Sequence, residues 1–188
     1  MTDVRGLENQ EKGMRKIGVT GGIGSGKSYI CEGFRQQGFP VYVCDDEAKR
    51  LEQEDRGLVE AIRETVGPDV YNPDGSLNKP VLAKYFLASE ENARRINALV
   101  HPVVKRDFIE WAARQSAETV YMECAILFES GLSDMVDETV LVTAPLETRI
   151  ERIMRRDNTT REHALEWINK QMPDEEKMLL ADRVIVNG

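Results

Sequence analysis

The string GGIGSGKS, residues 21–28, constrains this chain more than any other stretch. Gly21, four intervening residues, then Gly26, Lys27 and Ser28 satisfy G-x-x-x-x-G-K-[ST] in full. The apolar run RKIGVT (15–20) precedes it, and SYICEGFRQQG follows with helical spacing that ends at Gly38. A chance match in a glycine-rich turn would lack this flanking strand and helix. Glycines admit positive φ, so consecutive backbone N–H groups can turn inward on an anion at the start of the following helix. Lys27 then reaches the β and γ phosphates, and the Ser28 hydroxyl can ligate Mg²⁺. The expected nucleotide contacts are Gly22, Ile23, Gly24, Ser25, Gly26, Lys27, Ser28 and Tyr29, with Ser28 as the metal ligand.

A strand, glycine loop and helix in this order imply an α/β fold. Four further Val-rich runs, FPVYVC (39–44), TVYMEC (119–124), ETVLVT (138–143) and RVIVN (183–187), complete a five-stranded parallel sheet with flanking crossover helices. Between the second and third strands, helix-like segments near 57–66, 79–87, 89–99 and 102–116 predict an inserted helical subdomain, about 57–116. Its turn-rich break is GPDVYNPDGSLNKP. The core is expected over 14–56, 117–145 and 181–188, and a helical lid over about 146–180. At 188 residues the chain suits one domain, 14–188, and the polar stretch 1–13 reads as a disordered tail.

A net charge of −8 argues against nucleic acid or an anionic membrane as the main partner, because phosphate backbones are bound by excess Lys and Arg. Small anions need only a local pocket. Cys31, Cys44 and Cys124 form no CxxC pair, which fits neither a disulfide framework nor a zinc site and points to a reducing cytoplasm. No apolar run is long enough to span a bilayer, and no signal peptide is evident.

The partners of the phosphate loop narrow the class. The nearest string to the guanine-reading N-K-x-D is NKQM at 169–172, which lacks the acid, so a GTPase is disfavoured. A small-molecule kinase needs an acid to take a hydroxyl proton and arginines to cover the transferring phosphoryl group. APLETRIERIMRRD (144–157) predicts a helix with Leu146, Ile150, Ile153 and Met154 as its apolar stripe. Arg149, Arg152 and Arg156 share a second face, and Arg155 has a helical partner in Glu151. Alone this would be a solvated basic face; beside a phosphate loop it reads as a lid helix that brings guanidinium groups onto ATP. Thr159 or Thr160 is the expected N-cap of the next helix.

VTGGIGSGKS (19–28), VCDDEAKR (43–50), NALVHPVV (97–104), AILFES (125–130), RIMRRDNTTREHA (152–164) and ADRVIVNG (181–188) together resemble the dephospho-coenzyme A kinase family. The resemblance runs over residues 15–188. It implies a nucleotide-binding core, a helical region for the coenzyme A moiety and a lid. It also implies ATP-dependent phosphorylation of the ribose 3′-hydroxyl of dephospho-CoA, with Mg²⁺. By position, the phosphate lysine falls on Lys27, the catalytic base on Asp45 and the lid arginine on Arg156, with Arg152 beside the nucleotide. Lys49 and His101 become candidate contacts for the CoA moiety. On the residues alone His101 is a helix residue before Pro102 at N1, and Asp45 could be a helix N-cap.

Two departures stand out. The family's D-x-D strand end falls on Val43, Cys44 and Asp45, so Val43 replaces the first acid. In a strand 43 and 45 point to one side, and Asp46 could substitute only if the strand ended early. The alternatives are therefore a kinase for another small acceptor and a nucleotide-binding homologue weakened or silenced by Val43. The second departure is the stop at VIVNG, where family members continue with a final helix. Glu123 and Glu129 are both open as Mg²⁺ ligands, and Gln171 is expected to close the lid helix without a chemical role.

Overall fold

β1 (Arg15–Thr20) is buried from Ile17 onward and lies at the centre of the sheet. The computed structural model describes residues 13–188, so the expected tail lies, apart from Gly13, outside the described residues. β2 (Val41–Val43), β3 (Thr119–Glu123), β4 (Glu138–Thr143) and β5 (Arg183–Val186) join β1 in the order β2-β3-β1-β4-β5. Every pairing is parallel, as expected for short Val-rich strands joined by crossovers.

Side-chain alternation divides the sheet into two faces. Val19, Tyr121, Val41, Val142 and Ile185 meet α1 (Lys27–Gln36) through Cys31, Ile30 and Phe34. Tyr42, Met122 and Leu127 meet α2 (Cys44–Glu54), α3 (Arg56–Val66) and α5 (Glu90–Ala113) in the larger core, which α4 (Lys79–Ala88) closes with Leu82, Tyr85 and Phe86. The helices of the expected insertion thus share one continuous core with the sheet. Phe108 is fully buried within it, with its ring centroid 5.3 Å from Tyr42 and 6.0 Å from Trp111. Phe108→Ala is expected to cost about 3–5 kcal/mol of stability, readable as a lower urea midpoint with unchanged slope.

Two expectations are corrected. The segments 89–99 and 102–116 are one helix, α5, with Pro102 inside it. Proline removes the bond to the Ala98 carbonyl and costs about 3 kcal/mol. Ile96, Val100, Val104, Phe108 and Ala112, buried at intervals of four along one stripe, outweigh that loss. His101 is therefore a mid-helix residue, and Pro102 is not at N1. The second strand is shorter than predicted: it ends at Val43 and α2 begins at Cys44. Asp45 and Asp46 consequently sit in the first turn of a helix, where successive side chains splay by about 100°.

α6 (Leu146–Asp157), α7 (Arg161–Asn169) and α8 (Asp174–Leu180) follow β4. Ile150 and Ile153 are buried against Ala164, whereas Leu146 and Met154 of the predicted stripe are exposed. Thr160, not Thr159, caps α7 by accepting from the His163 N–H. No described helix is long and apolar enough to cross a membrane.

Candidate active site

The loop between β1 and α1 adopts the cradle its glycines allow. Gly24 has φ 79°, and a Cβ there would lie 2.7 Å from the Arg149 carbonyl oxygen, so both conformation and space require glycine. Helix α1 starts at Lys27 behind Gly26, placing its N-terminal N–H groups at the floor of a groove lined by Gly22 to Ser28. The groove has a volume of about 390 Å³, and Asp45, Ala125, Arg152, Ile153, Arg156 and Gln171 form its other walls.

Glu123 lies behind this groove, beside Lys27 and Ser28. It is the last residue of β3, in register with Val19 and Val43 on the α1 face of the sheet. That parity carries its carboxylate to the start of α1, where Oε1 accepts from the Ser28 hydroxyl and lies 3.9 Å from Lys27 Nζ. Only 6% of Glu123 is exposed. A buried carboxylate must be paired or hydrogen-bonded to persist, and Lys27 and Ser28 do both. Glu129, the other open candidate, is turned away and pairs with the fully buried Lys177 at 3.0 Å.

A second cavity of about 490 Å³ opens on the far side of Asp45. Apolar groups from α2, α4 and α5, among them Ala48, Leu82, Phe86, Ile96 and Val100, form most of its wall, with Lys49 and His101 as polar members. Among the described residues, Asp45 alone lines both this cavity and the phosphate groove. Burial, reinforced by the charge of Lys105, holds the His101 imidazole below its usual 6.5, so it is neutral at neutral pH. The Lys49 ammonium lies 3.5 Å from Asp46. Cys44 and Cys124 also line the cavity. The hydrogen bond from Cys44 to Cys124 and burial push the Cys44 thiol far up, so it stays protonated and inert.

The sequence of residues 15–188 matches the model of a family described as dephospho-CoA kinase. The chain belongs to this family. It is 44% identical to a dephospho-CoA kinase of Bacteroides fragilis over 92% of this chain and 84% of the relative. A dephospho-CoA kinase of Bacillus thuringiensis is 36% identical, over 91% of this chain and 87% of its own. Among solved structures, TT1252 from Thermus thermophilus superposes with a TM-score of 0.82 at 35% identity, covering 94% of this chain and 90% of that one.

Within this dephospho-CoA kinase family member, most of the residues expected at the site converge. Gly22 to Ser28, Arg152, Arg156 and Asp45 line the groove, and Asp45, Lys49 and His101 line the chamber. Tyr29 does not join them: it is 77% exposed and outside the groove wall. Asp45 is not an N-cap, because the cap of α2 is Val43 and no side chain accepts there. Asp46 does not replace the acid missing at Val43, since it lines neither cavity and faces Lys49.

Of the three arginines that share the second face of α6, Arg152 and Arg156 line the groove and Arg149 does not. It is buried, its Nε donates to the Ile23 carbonyl at 3.0 Å, and Nη1 pairs with Asp174 at 3.1 Å. Arg152 Nη1 donates to the Asn187 carbonyl at 3.0 Å and to Ser25 O at 3.3 Å. The Arg156 fork lies on its neighbour Asp157 at 2.7 and 2.9 Å.

Sequence reasoning missed Asn187 and the role of Gln171. Asn187 Nδ2 donates to Ser25 O at 3.0 Å, tying the end of β5 to the loop. Gln171 Oε1 accepts from the Ile23 N–H at 2.7 Å. Both contacts span more than a hundred residues of chain, and no local spacing announces them.

Proposed function

We propose that this chain transfers the γ-phosphoryl group of ATP to the ribose 3′-hydroxyl of dephospho-CoA, giving coenzyme A and ADP, the last step of coenzyme A synthesis. The observation that carries this is Asp45, which is common to the phosphate groove and the apolar chamber. A group that takes a proton from an acceptor hydroxyl must reach the point where acceptor and phosphate meet, and among the described residues no other lines both sites. The working division is a nucleotide core, an acceptor region from the helices of about 57–116, and a lid of about 146–180.

The roles follow from position. Gly22 to Ser28 hold the phosphates, and Lys27 offsets charge that develops on the transferring group. Arg156 moves from Asp157 to that group when nucleotide is present, and Arg152 flanks the nucleotide. Lys49 and neutral His101 contact the acceptor from the chamber wall. The Ser28 hydroxyl and Glu123 carboxylate are adjacent hard oxygen donors, which suits Mg²⁺. Such an ion would be held by these one or two protein oxygens and by substrate phosphates. Mg²⁺ held there by Ser28 and Glu123 would supply positive charge that offsets the negative charge of the nucleotide phosphates. We place the reaction in the cytoplasm.

ADP release measured with and without dephospho-CoA tests the reading. Dephospho-CoA should stimulate release strongly; preference for a nucleoside monophosphate would overturn the assignment. Val43→Asp addresses the weakened-homologue alternative. Because Asp45 alone among the described residues spans the two sites, the expected change in kcat is within about threefold. Creation of turnover in a wild-type chain that has none would mean the native protein only binds nucleotide.

A further inference from the structure

The phosphate loop owes its turn to glycines at positive φ, Gly24 and Gly26 among them. Here its third residue is held from outside on every side. The Ile23 N–H donates to Gln171 Oε1 at 2.7 Å, and the Ile23 carbonyl accepts from Arg149 Nε at 3.0 Å. Its side chain packs into the apolar cluster of Ile150, Ile153 and Ala164 between α6 and α7. All three attachments come from the lid. Arg149 is fixed in turn by Asp174, which accepts from Thr143 Oγ1 at the end of β4. Gly22 has room for no side chain, because a Cβ would strike the Arg149 guanidinium and approach Gln171 Oε1 at 3.2 Å.

We infer that Gln171 is a positioning residue that sets the phosphate cradle through the Ile23 peptide and thereby couples lid position to ATP affinity. This deepens the kinase reading and rests on it. The argument is geometric. Ile23 is pinned at its N–H, its carbonyl and its side chain, so the peptide planes on both sides of it are fixed, and with them the direction of the Gly24 N–H that opens the cradle. The pin at the N–H comes from the turn between α7 and α8, the segment that returns the lid to the core. Movement of that turn must either carry the Ile23 peptide with it or break this bond. The amide orientation of Gln171 is determined by its partner: an N–H donor can be met only by the side-chain oxygen.

The test compares Gln171→Met, which keeps shape but accepts nothing, with Gln171→Glu, whose carboxylate can still accept from Ile23. By calorimetry Gln171→Met should weaken ATP binding about 10-fold, the scale of one lost hydrogen bond in a preorganised site. In turnover the loss should fall on KM for ATP, with kcat and the acceptor KM within about twofold. Amide exchange at Ile23 should be slow in the wild type, at least about 10-fold faster in Gln171→Met and slow again in Gln171→Glu. Wild-type ATP affinity in folded Gln171→Met overturns the inference. So does fast Ile23 exchange in the wild type, which needs no variant to fold. Wild-type turnover of dephospho-CoA in the same assay tests the parent reading separately, and the calorimetry requires no acceptor.

Discussion

Asp45→Asn is expected to lower kcat by about 10³-fold while leaving the fold and ATP affinity intact. The substitution is isosteric, and Asp45 is an exposed residue of the first turn of α2, so little packing changes. Loss of a favourable carboxylate near a helix N-terminus costs only about 0.3–1 kcal/mol. What disappears is the proton acceptor at the junction of groove and chamber. A coupled ADP assay reads kcat, and calorimetry with ATP reads binding. If Asp45→Asn turns over near the wild-type rate, the base is another group and the assignment of Asp45 fails.

Lys27→Ala should be nearly as damaging, by about 10²–10³-fold in kcat/KM for ATP. Two effects combine. The transferring phosphoryl group loses its nearest ammonium, and the buried Glu123 carboxylate loses the cation 3.9 Å away. The second effect predicts a lower melting temperature as well, because removing one partner leaves the other charge uncompensated. Lys27→Met, similar in length but neutral, should show both losses. An unchanged kcat/KM for ATP in either variant would remove Lys27 from the chemistry.

The sheet was legible because each strand is a short Val-rich run bounded by turn residues, and four of the five match to within a residue. The exception, β2, was read too long. FPVYVC is apolar throughout, and periodicity alone could not show that Cys44 already belongs to a helix carrying three acids in its first turn. Pro102 misled in the opposite direction: local propensity favours a break, and a five-residue buried stripe overrides it. At the site, the phosphate loop and Asp45 could be read from motif and resemblance. Arg149 could not be separated from Arg152 and Arg156, because helical spacing specifies a shared face but not what that face meets. Its partners, Ile23 and Asp174, lie on other elements. Glu123 was distinguishable from Glu129 in principle: it occupies the strand parity of Tyr121, which faces α1. Glu129 lies beyond the strand and has no such parity.

The contact of two separate cavities at one carboxylate also has a kinetic meaning. Neither ligand needs to pass through the other's site, so ATP and acceptor can both be seated before any bond changes. On the proposed assignment of the two sites, the phosphoryl group is expected to cross directly from one to the other without resting on the protein. Such a catalyst works through a ternary complex, and its double-reciprocal plots intersect where those of a ping-pong enzyme run parallel.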